Sequence, residues 1–319
     1  MSASSERMRA GRRTVALGNP DKELFGEGGA TKRELAEHYR AVAPMMLPHV
    51  RERPLALHRF PDGIFADGDP SSSGGFFQKQ LPAHAPDWVG GVEVRREQGG
   101  SITMAVCDDT ASLIWLADQA VVTPHPWLSR TGDLERPDRI IVDLDPADDD
   151  FGRVREAARD VRAGLEEVGL VAFVMSTGSR GLHVVAPIRP ERHFDTVREF
   201  ARRLADLVAG RRPDAYTTEF RKDKRRGRLF LDVLRNSYAQ HAVAPYSVRA
   251  LPEAPVAVPL AWEELEGLDS ARRWTLRTLG ERLERNEKAG GDPWQGMARR
   301  ARSPRKAAER LEKAERRAR

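Results

Sequence analysis

Two carboxylates two residues apart in an apolar stretch are the first chemistry this chain offers. In "RIIVDLDPADDD", residues 139–150, Asp143 and Asp145 stand in a run that otherwise reads as a buried strand. Alternate strand residues share a face, with Cα atoms about 6.5–7 Å apart, so the two carboxylates point the same way. Burying one unpaired carboxylate is costly and burying two side by side is worse, so something positive must sit between them. Asp232, in "LFLDVL", is a lone acid in a second apolar strand. Three such Asp residues could cage hard divalent cations, Mg²⁺ or Mn²⁺, which prefer oxygen ligands. A pair of these ions about 3.5–4 Å apart serves phosphoryl transfer. The alternative is that Asp143 and Asp145 end a strand and cap the next helix. Asp148, Asp149 and Asp150 are expected to do that, behind the strand-breaking Pro146. The D-x-D pair alone leaves both readings open.

The second constellation is "STGSRGLHVV", residues 176–185, between two apolar runs. Gly178 and Gly181 let backbone N–H groups turn toward an anion. Thr177 and Ser179 add hydroxyls, Arg180 a fork of donors, and His183 a further donor. These groups suit a triphosphate. The stretch is not a Walker loop, because the closing Lys-Ser/Thr is missing. A Gly-rich hairpin with an incidental Arg fits the stretch equally well.

The elements that must hold these groups read as alternating strands and helices, so the expected class is mixed α/β. Thr31 and Glu34 form a capping box, and Leu35, His38, Tyr39 and Val42 fall on one face of the helix that follows. Strands are expected near 92–94 and 102–106, and a helix over 111–120. After the D-x-D strand come a helix closed by Gly169, the strand "LVAFVM", the "STGSRG" turn, the strand "LHVVAPI" and a helix from Phe194. The strand "RLFLDVL" and a late helix over "ARRWTLRTLGERLERN", residues 271–286, complete the pattern. "GDPSSSGG", residues 68–75, reads as a flexible loop.

Composition narrows the class. The 319 residues are 40% hydrophobic and 32% charged, as in a soluble globular protein with a real core. A single Cys107 rules out an internal disulfide and suits a reducing compartment. No apolar run approaches a membrane span, and the N-terminus lacks the apolar core of a secretory signal. The net charge of +5 points less to a polyanion than it first suggests. Residues 299–319 hold ten Lys/Arg and three Glu, which leaves the body near neutral. The case for nucleic acid must come from local clusters, of which Arg221–Arg228, "RKDKRRGR", is the densest.

Taken in order, "DLDP", "STGSRGLH" and "RRGRLFLDVLRN" resemble the archaeo-eukaryotic primase superfamily. More closely, the chain resembles the primase-polymerase module of bacterial ligase D, used in non-homologous end joining. The likeness runs from about Val15 to about Met297 and includes "LGNPDKELF", "LHRFPDG", "FFQKQLPAHAPDW", "HPWLSR", "LERPDRIIVDLDP" and "GDPWQGM". It implies a primase-like fold whose catalytic half is related to RNA-recognition modules, with an N-terminal α/β layer, in one compact domain. That domain is expected over 15–297, between an N-terminal arm, 1–14, and a mobile, partly helical basic tail, 298–319.

Residue by residue, the resemblance assigns Asp143, Asp145 and Asp232 to two catalytic metal ions, Mn²⁺ or Mg²⁺. It assigns Thr177, Ser179, Arg180, Gly181 and His183 to the phosphates of a nucleoside triphosphate. Thr177 and Arg180 stand where relatives more often have Ser and Lys, and both keep the hydroxyl and the cation. Arg225 and His125 are expected near the same pocket; alone, His125 reads as a packed loop histidine. Asn19, Lys22 and Lys32 match residues around the 5′-phosphate of a downstream strand. For Lys32 the start of a capped helix, where N–H groups and the dipole attract phosphate, agrees. Arg59, Phe76, Phe77 and Lys79 match DNA contacts, with the aromatic pair stacking on template bases; without the resemblance an aromatic pair is more often core.

The implied activity is template-directed nucleotidyl transfer that fills gaps or extends ends in double-strand break repair. Its substrates would be ribo- or deoxynucleoside triphosphates and DNA with gaps, nicks or ends bearing a 5′-phosphate. A Ku-type end binder and a separate ligase are the expected partners. A monomer in the bacterial cytoplasm, associated with the nucleoid, is expected. No ligase or 3′-phosphoesterase stretch is read, so the chain is either stand-alone or an excised module. A two-metal nuclease or phosphoesterase is the second reading, against which the triphosphate cradle argues. A DNA-end scaffold with vestigial catalysis is the third, against which the intact Asp trio argues.

Overall fold

A tight hairpin opens the chain, built by alternation in "SERMRAGRRTVALG": Met8, Ala10, Val15 and Leu17 turn inward and the charged residues between them turn out. The structure is a computed structural model that describes residues 5–64, 75–96, 99–288 and 290–318. The "GDPSSSGG" stretch therefore lies, but for Gly75, outside the described residues. In order, the elements are β1 (Ser5–Ala10), β2 (Arg13–Gly18), α1 (Lys32–Val50), β3 (Leu55–Arg59), β4 (Phe76–Gln78), β5 (Gly90–Arg95), β6 (Ser101–Val106), α2 (Thr110–Asp118) and β7 (Val121–Pro126). There follow β8 (Ser129–Arg130), β9 (Asp133–Pro137), β10 (Arg139–Asp145), α3 (Phe151–Glu167), β11 (Phe173–Ser176), β12 (Leu182–Pro187) and α4 (Phe194–Arg211). The chain closes with β13 (Tyr216–Thr217), β14 (Leu229–Asp232), β15 (Val258–Leu260), α5 (Leu279–Lys288) and α6 (Pro304–Ala318). The class is mixed α/β, as expected.

Where one compact domain was expected, the chain gathers into two units. The first comprises residues 1–127, 241–257 and 274–289, the second 128–240, 258–273 and 290–319. In the first, β3 is flanked by β4, β6 and β7, and β5 pairs with β6, all antiparallel. α1 carries the predicted capping box, with Thr31 and Glu34 each bonding the other's backbone, and buries Leu35, Tyr39, Val42 and Met46.

The second unit is built on a six-stranded sheet in the order β13-β14-β10-β12-β11-β15, antiparallel except between β13 and β14. Asp150 caps α3, and Gly169 takes the left-handed conformation just beyond its end, as the sequence implies. α3 and α4 bury Val154, Ala158, Val161, Leu165, Val197, Phe200 and Leu204. Among the described residues no helix is long and apolar enough to cross a membrane.

Three expectations change. The late helix begins only at Leu279, because the stretch before it is bonded across the chain: the Trp274 carbonyl accepts from Val256 N–H (2.8 Å) and Leu276 N–H donates to Ala254 (2.8 Å). The segment expected as a mobile tail is docked. Pro304–Ala318 is a helix whose Ala307, Leu311 and Ala314 are buried, with Glu315 paired to Arg203 of α4. Its charges lie on the outer face of an amphipathic helix. At the other end, residues 5–10 of the expected arm form β1.

Candidate active site

β10 lies inside the six-stranded sheet, and its two neighbours put the acids together. Asp143 stands opposite Asp232 on β14 and opposite His183 on β12, so Asp232, Asp143 and His183 form one row across three strands. Residues directly opposite in an antiparallel pair have Cβ atoms about 4.5–5.5 Å apart. Asp145 lies two residues along on the same face. The intervening Leu144 and its partners Leu231 and Leu182 are fully buried on the other face.

Arginines supply positive charge to the two carboxylates, of which Asp143 is half-buried and Asp145 more open, at 19% and 41% side-chain exposure. Arg225 Nη1 donates to Asp145 Oδ2 at 2.8 Å, and its side chain is only 12% exposed. The same guanidinium donates to the carbonyls of Glu219 and Phe220 and lies 3.9 Å from the Phe230 ring centroid. Arg235 Nε sits 3.8 Å from Asp143 Oδ2, and His183 Nε2 lies 3.5 Å from Asp143 Oδ1. Asp232 accepts a 2.7 Å bond from Leu234 N–H. Burial pushes the Asp232 carboxyl above the usual range and the charges of Asp143 and Asp145 push it further, against the Leu234 N–H and Arg235.

By donor chemistry the three carboxylates suit Mn²⁺ or Mg²⁺. As placed, no three His, Cys, Asp or Glu side chains among the described residues converge as a metal cage. Asp145 is drawn to Arg225, so its carboxylate would have to exchange that partner to share an ion with the other two.

The strand beyond Asp232 stops early, and one side chain replaces it. Asn236 is fully buried; its Oδ1 accepts from Ile141 N–H (2.9 Å) and its Nδ2 donates to the Ile141 carbonyl (2.7 Å). The amide thus pairs with β10 as a strand residue would.

The "STGSRG" turn closes the end of the same sheet. A Cβ at Gly181 would lie 1.9 Å from the Leu144 carbonyl, so only glycine allows the turn to approach β10 this closely. Gly178 adopts φ +64°. Thr177 is buried, and both its N–H and its hydroxyl donate to the Gly181 carbonyl (3.1 and 2.9 Å). Its hydroxyl therefore holds the turn in shape. Ser179 and Arg180 line a cavity of about 280 Å³ with Pro146, Asp148, Asp149 and Arg272. His183 is buried, and its Nδ1 has no hydrogen-bond partner among the described residues.

The first unit holds the remaining predicted residues in two clusters. Asn19, Lys22 and Lys32 share one corner: Lys22 N–H donates to the Asn19 carbonyl (3.1 Å), and Lys32 N–H to that of Lys22 (2.9 Å). The Lys32 side chain is only 11% exposed, and its ammonium is already engaged, by Gly18 O at 2.7 Å and Asp118 Oδ1 at 2.9 Å. Lys22 is the exposed lysine of the corner. In the second cluster Arg59 stands opposite Phe76, and His58 opposite Phe77, across β3 and β4. Arg59 lies over the Phe76 ring, His58 stacks on Phe77 with centroids 4.3 Å apart and planes at 4°, and Lys79 is exposed just beyond. His125 also belongs here, with its ring 5.2 Å from Phe77 and 5.1 Å from His241.

Sequence reasoning missed Arg235, His58 and His241. Arg235 follows Asp232 by three residues, and nothing in that spacing marks it as a partner of Asp143.

With this geometry in place, comparison with known proteins is direct. The sequence profile described as "LigD, primase-polymerase domain" matches residues 31–294. The multifunctional non-homologous end joining protein LigD of Pseudomonas aeruginosa is 34% identical over 297 residues, covering 93% of this chain and 34% of that protein. The bifunctional LigD of Bacillus subtilis is 30% identical over 268 residues, covering 83% of this chain and 42% of that one. The chain thus spans well under half the length of these relatives. Among solved structures, the polymerase domain of Mycobacterium tuberculosis ligase D in complex with DNA superposes with a TM-score of 0.81 at 31% identity, covering 90% of this chain and 99% of that one. The chain belongs to the ligase D primase-polymerase domain family.

Proposed function

We propose that this chain is a template-directed nucleotidyltransferase that adds nucleotides at gaps or ends in DNA during double-strand break repair by non-homologous end joining. The observation that carries the reading is the row of Asp232, Asp143 and His183, with Asp145 on the same face and the Gly181 turn at its end, in a chain of this family. In the reaction a primer 3′-hydroxyl attacks the α-phosphate of a nucleoside triphosphate and pyrophosphate leaves. Mn²⁺ or Mg²⁺ held by the three Asp carboxylates would activate the hydroxyl and offset the charge on the pyrophosphate. The protein's own part is positional. β10 and β14 fix Asp143 and Asp232 side by side. Ser179, Arg180 and His183 offer donors to the triphosphate, while Thr177 and Gly181 hold the turn that presents them. Asn19, Lys22 and the start of α1 receive a 5′-phosphate, and Phe76 and Phe77, set by Arg59 and His58, present flat faces to template bases beside Lys79.

The working form is a monomer in the bacterial cytoplasm, associated with the nucleoid, which hands extended ends to a ligase and meets them through a Ku-type end binder. The test is extension of a gapped, 5′-phosphorylated duplex with labelled NTP or dNTP and Mn²⁺. Asp143→Ala, Asp145→Ala and Asp232→Ala should each abolish addition while DNA binding persists. Full activity in any one would remove that residue from the site, and shortened strands in place of extended ones would favour the nuclease reading.

A further inference from the structure

Three large apolar side chains are exposed among the described residues: Phe76 at 46%, Phe77 at 48% and Phe220 at 66%. The first two form the aromatic pair on β4. Phe220, the most exposed, has had no role so far. It opens the basic run Arg221–Arg228, six cations and one acid. The acid, Asp223, is paired with Arg221 at 3.0 Å. Arg228 is spent on the carbonyls of Arg225, Pro213 and Lys224, and Arg225 on Asp145. That leaves Lys222, Lys224 and Arg226, all exposed, with no ion pair or side-chain hydrogen bond to another described residue.

The ring does not ride on a free loop. Arg225 donates to the Phe220 carbonyl at 2.9 Å and to the Glu219 carbonyl at 3.2 Å, while its Nη1 holds Asp145. One guanidinium thus ties the backbone of the exposed aromatic to the rim of the carboxylate site. A 3₁₀ turn over Lys222–Lys224 and left-handed Arg226 (φ +53°) and Gly227 (φ +71°) close the loop behind it.

We propose that Phe220 is a stacking platform for an unpaired nucleobase, on a single strand whose phosphates run past Lys222, Lys224 and Arg226. A base offers a flat π face to an exposed ring, and such stacking holds single strands whatever their sequence. Three exposed cations that follow the ring within six residues of the chain, with no partner among the described residues, call for a polyanion. Because duplex bases are already stacked, the fitting partner is a single strand: an overhang or the unpaired stretch of a gap. The proposal rests on the DNA-acting reading above and names a strand contact on that same rim.

The test is equilibrium binding of the full chain to a labelled single-stranded oligonucleotide and to a duplex of equal length, at several salt concentrations. Phe220→Ala should weaken single-strand binding about tenfold, the scale of losing one stacked base, and leave duplex binding and thermal midpoint unchanged. The slope of log affinity against log salt should also be unchanged, since a phenyl ring releases no counterions. Phe220→Trp should keep the affinity, and the added indole should be quenched on binding relative to the parent's six tryptophans. Lys222→Gln/Lys224→Gln/Arg226→Gln should flatten the salt slope. Unchanged single-strand affinity in Phe220→Ala, an equal loss on duplex, or an indole that stays unquenched in Phe220→Trp would overturn the proposal. If the parent chain binds single strands through Phe220 yet extends no primer, the polymerase reading falls and the stacking contact stands.

Discussion

Lys32→Met separates a structural lysine from a DNA-binding one. The Lys32 side chain is 11% exposed, and its ammonium bonds Asp118 Oδ1 at 2.9 Å and the Gly18 carbonyl at 2.7 Å. Removing one partner of a fully buried pair costs about 3–5 kcal/mol, because the other charge is left uncompensated. Here Asp118 is 20% exposed and keeps two donors, Gly18 N–H at 2.9 Å and Gln119 Nε2 at 3.1 Å. Methionine also refills the volume of the aliphatic stem. The expected loss is therefore lower, about 2–3 kcal/mol. Urea unfolding of the parent, Lys32→Met, Asp118→Asn and the double variant measures it, and the double-mutant cycle should return a coupling above about 1 kcal/mol. A loss below about 0.5 kcal/mol, the scale of an ordinary surface substitution, would refute the reasoning and release Lys32 for a phosphate.

Three further outcomes rest on single contacts. Lys22→Ala should abolish the preference for a 5′-phosphate over a 5′-hydroxyl in gapped-DNA binding while leaving the urea midpoint unchanged; a preference that survives would move the phosphate site elsewhere. Asn236→Ala should cost about 2–4 kcal/mol by chemical denaturation, because it strands both backbone groups of Ile141 in the interior; a loss under about 1 kcal/mol would mean water replaces the amide. His38 is buried, donates from Nε2 to the Tyr246 carbonyl at 2.8 Å, and is held by burial at about 4 rather than 6.5. The folded chain thus resists protonation, and stability present above pH 6.5 should fall by about 3 kcal/mol as pH drops to 4. His38→Gln should flatten that part of the pH profile, and an unchanged slope would assign it to other groups.

What the sequence made legible was local. The capping box of α1, the D-x-D strand, the Asp150 cap, Gly169 past the end of α3 and the Gly181 turn are all written in short spacings and appear as expected. What it hid was non-local. That Asp232 stands opposite Asp143 is a register between strands far apart in sequence, and no periodicity sets it. The partners of the carboxylates are hidden for the same reason: nothing local in the sequence ties Arg225 to Asp145 or Arg235 to Asp143. The ion pair of Lys32 is hidden in the same way, because Asp118 lies 86 residues away. The 271–286 stretch has helical spacing, but its backbone groups are claimed by residues 254–256. The tail was judged by charge, while Ala307, Leu311 and Ala314 carried the quieter signal of a docking face.

The division of the chain into two units has a consequence for how it can be cut and how it comes apart. The boundaries at 127/128, 240/241, 257/258, 273/274 and 289/290 mean that the polypeptide passes from one unit to the other five times. Neither unit is a continuous stretch of sequence, so no truncation releases one intact. Ending the chain before residue 258 would remove β15 from the sheet that carries the aspartates, and ending it before 274 would take Trp274 and α5 from the other unit. Threading of this kind makes melting of one unit pull on the other through five backbone connections. A single cooperative transition is expected from calorimetry, and a protease nick in either unit should be felt as a loss of stability in both.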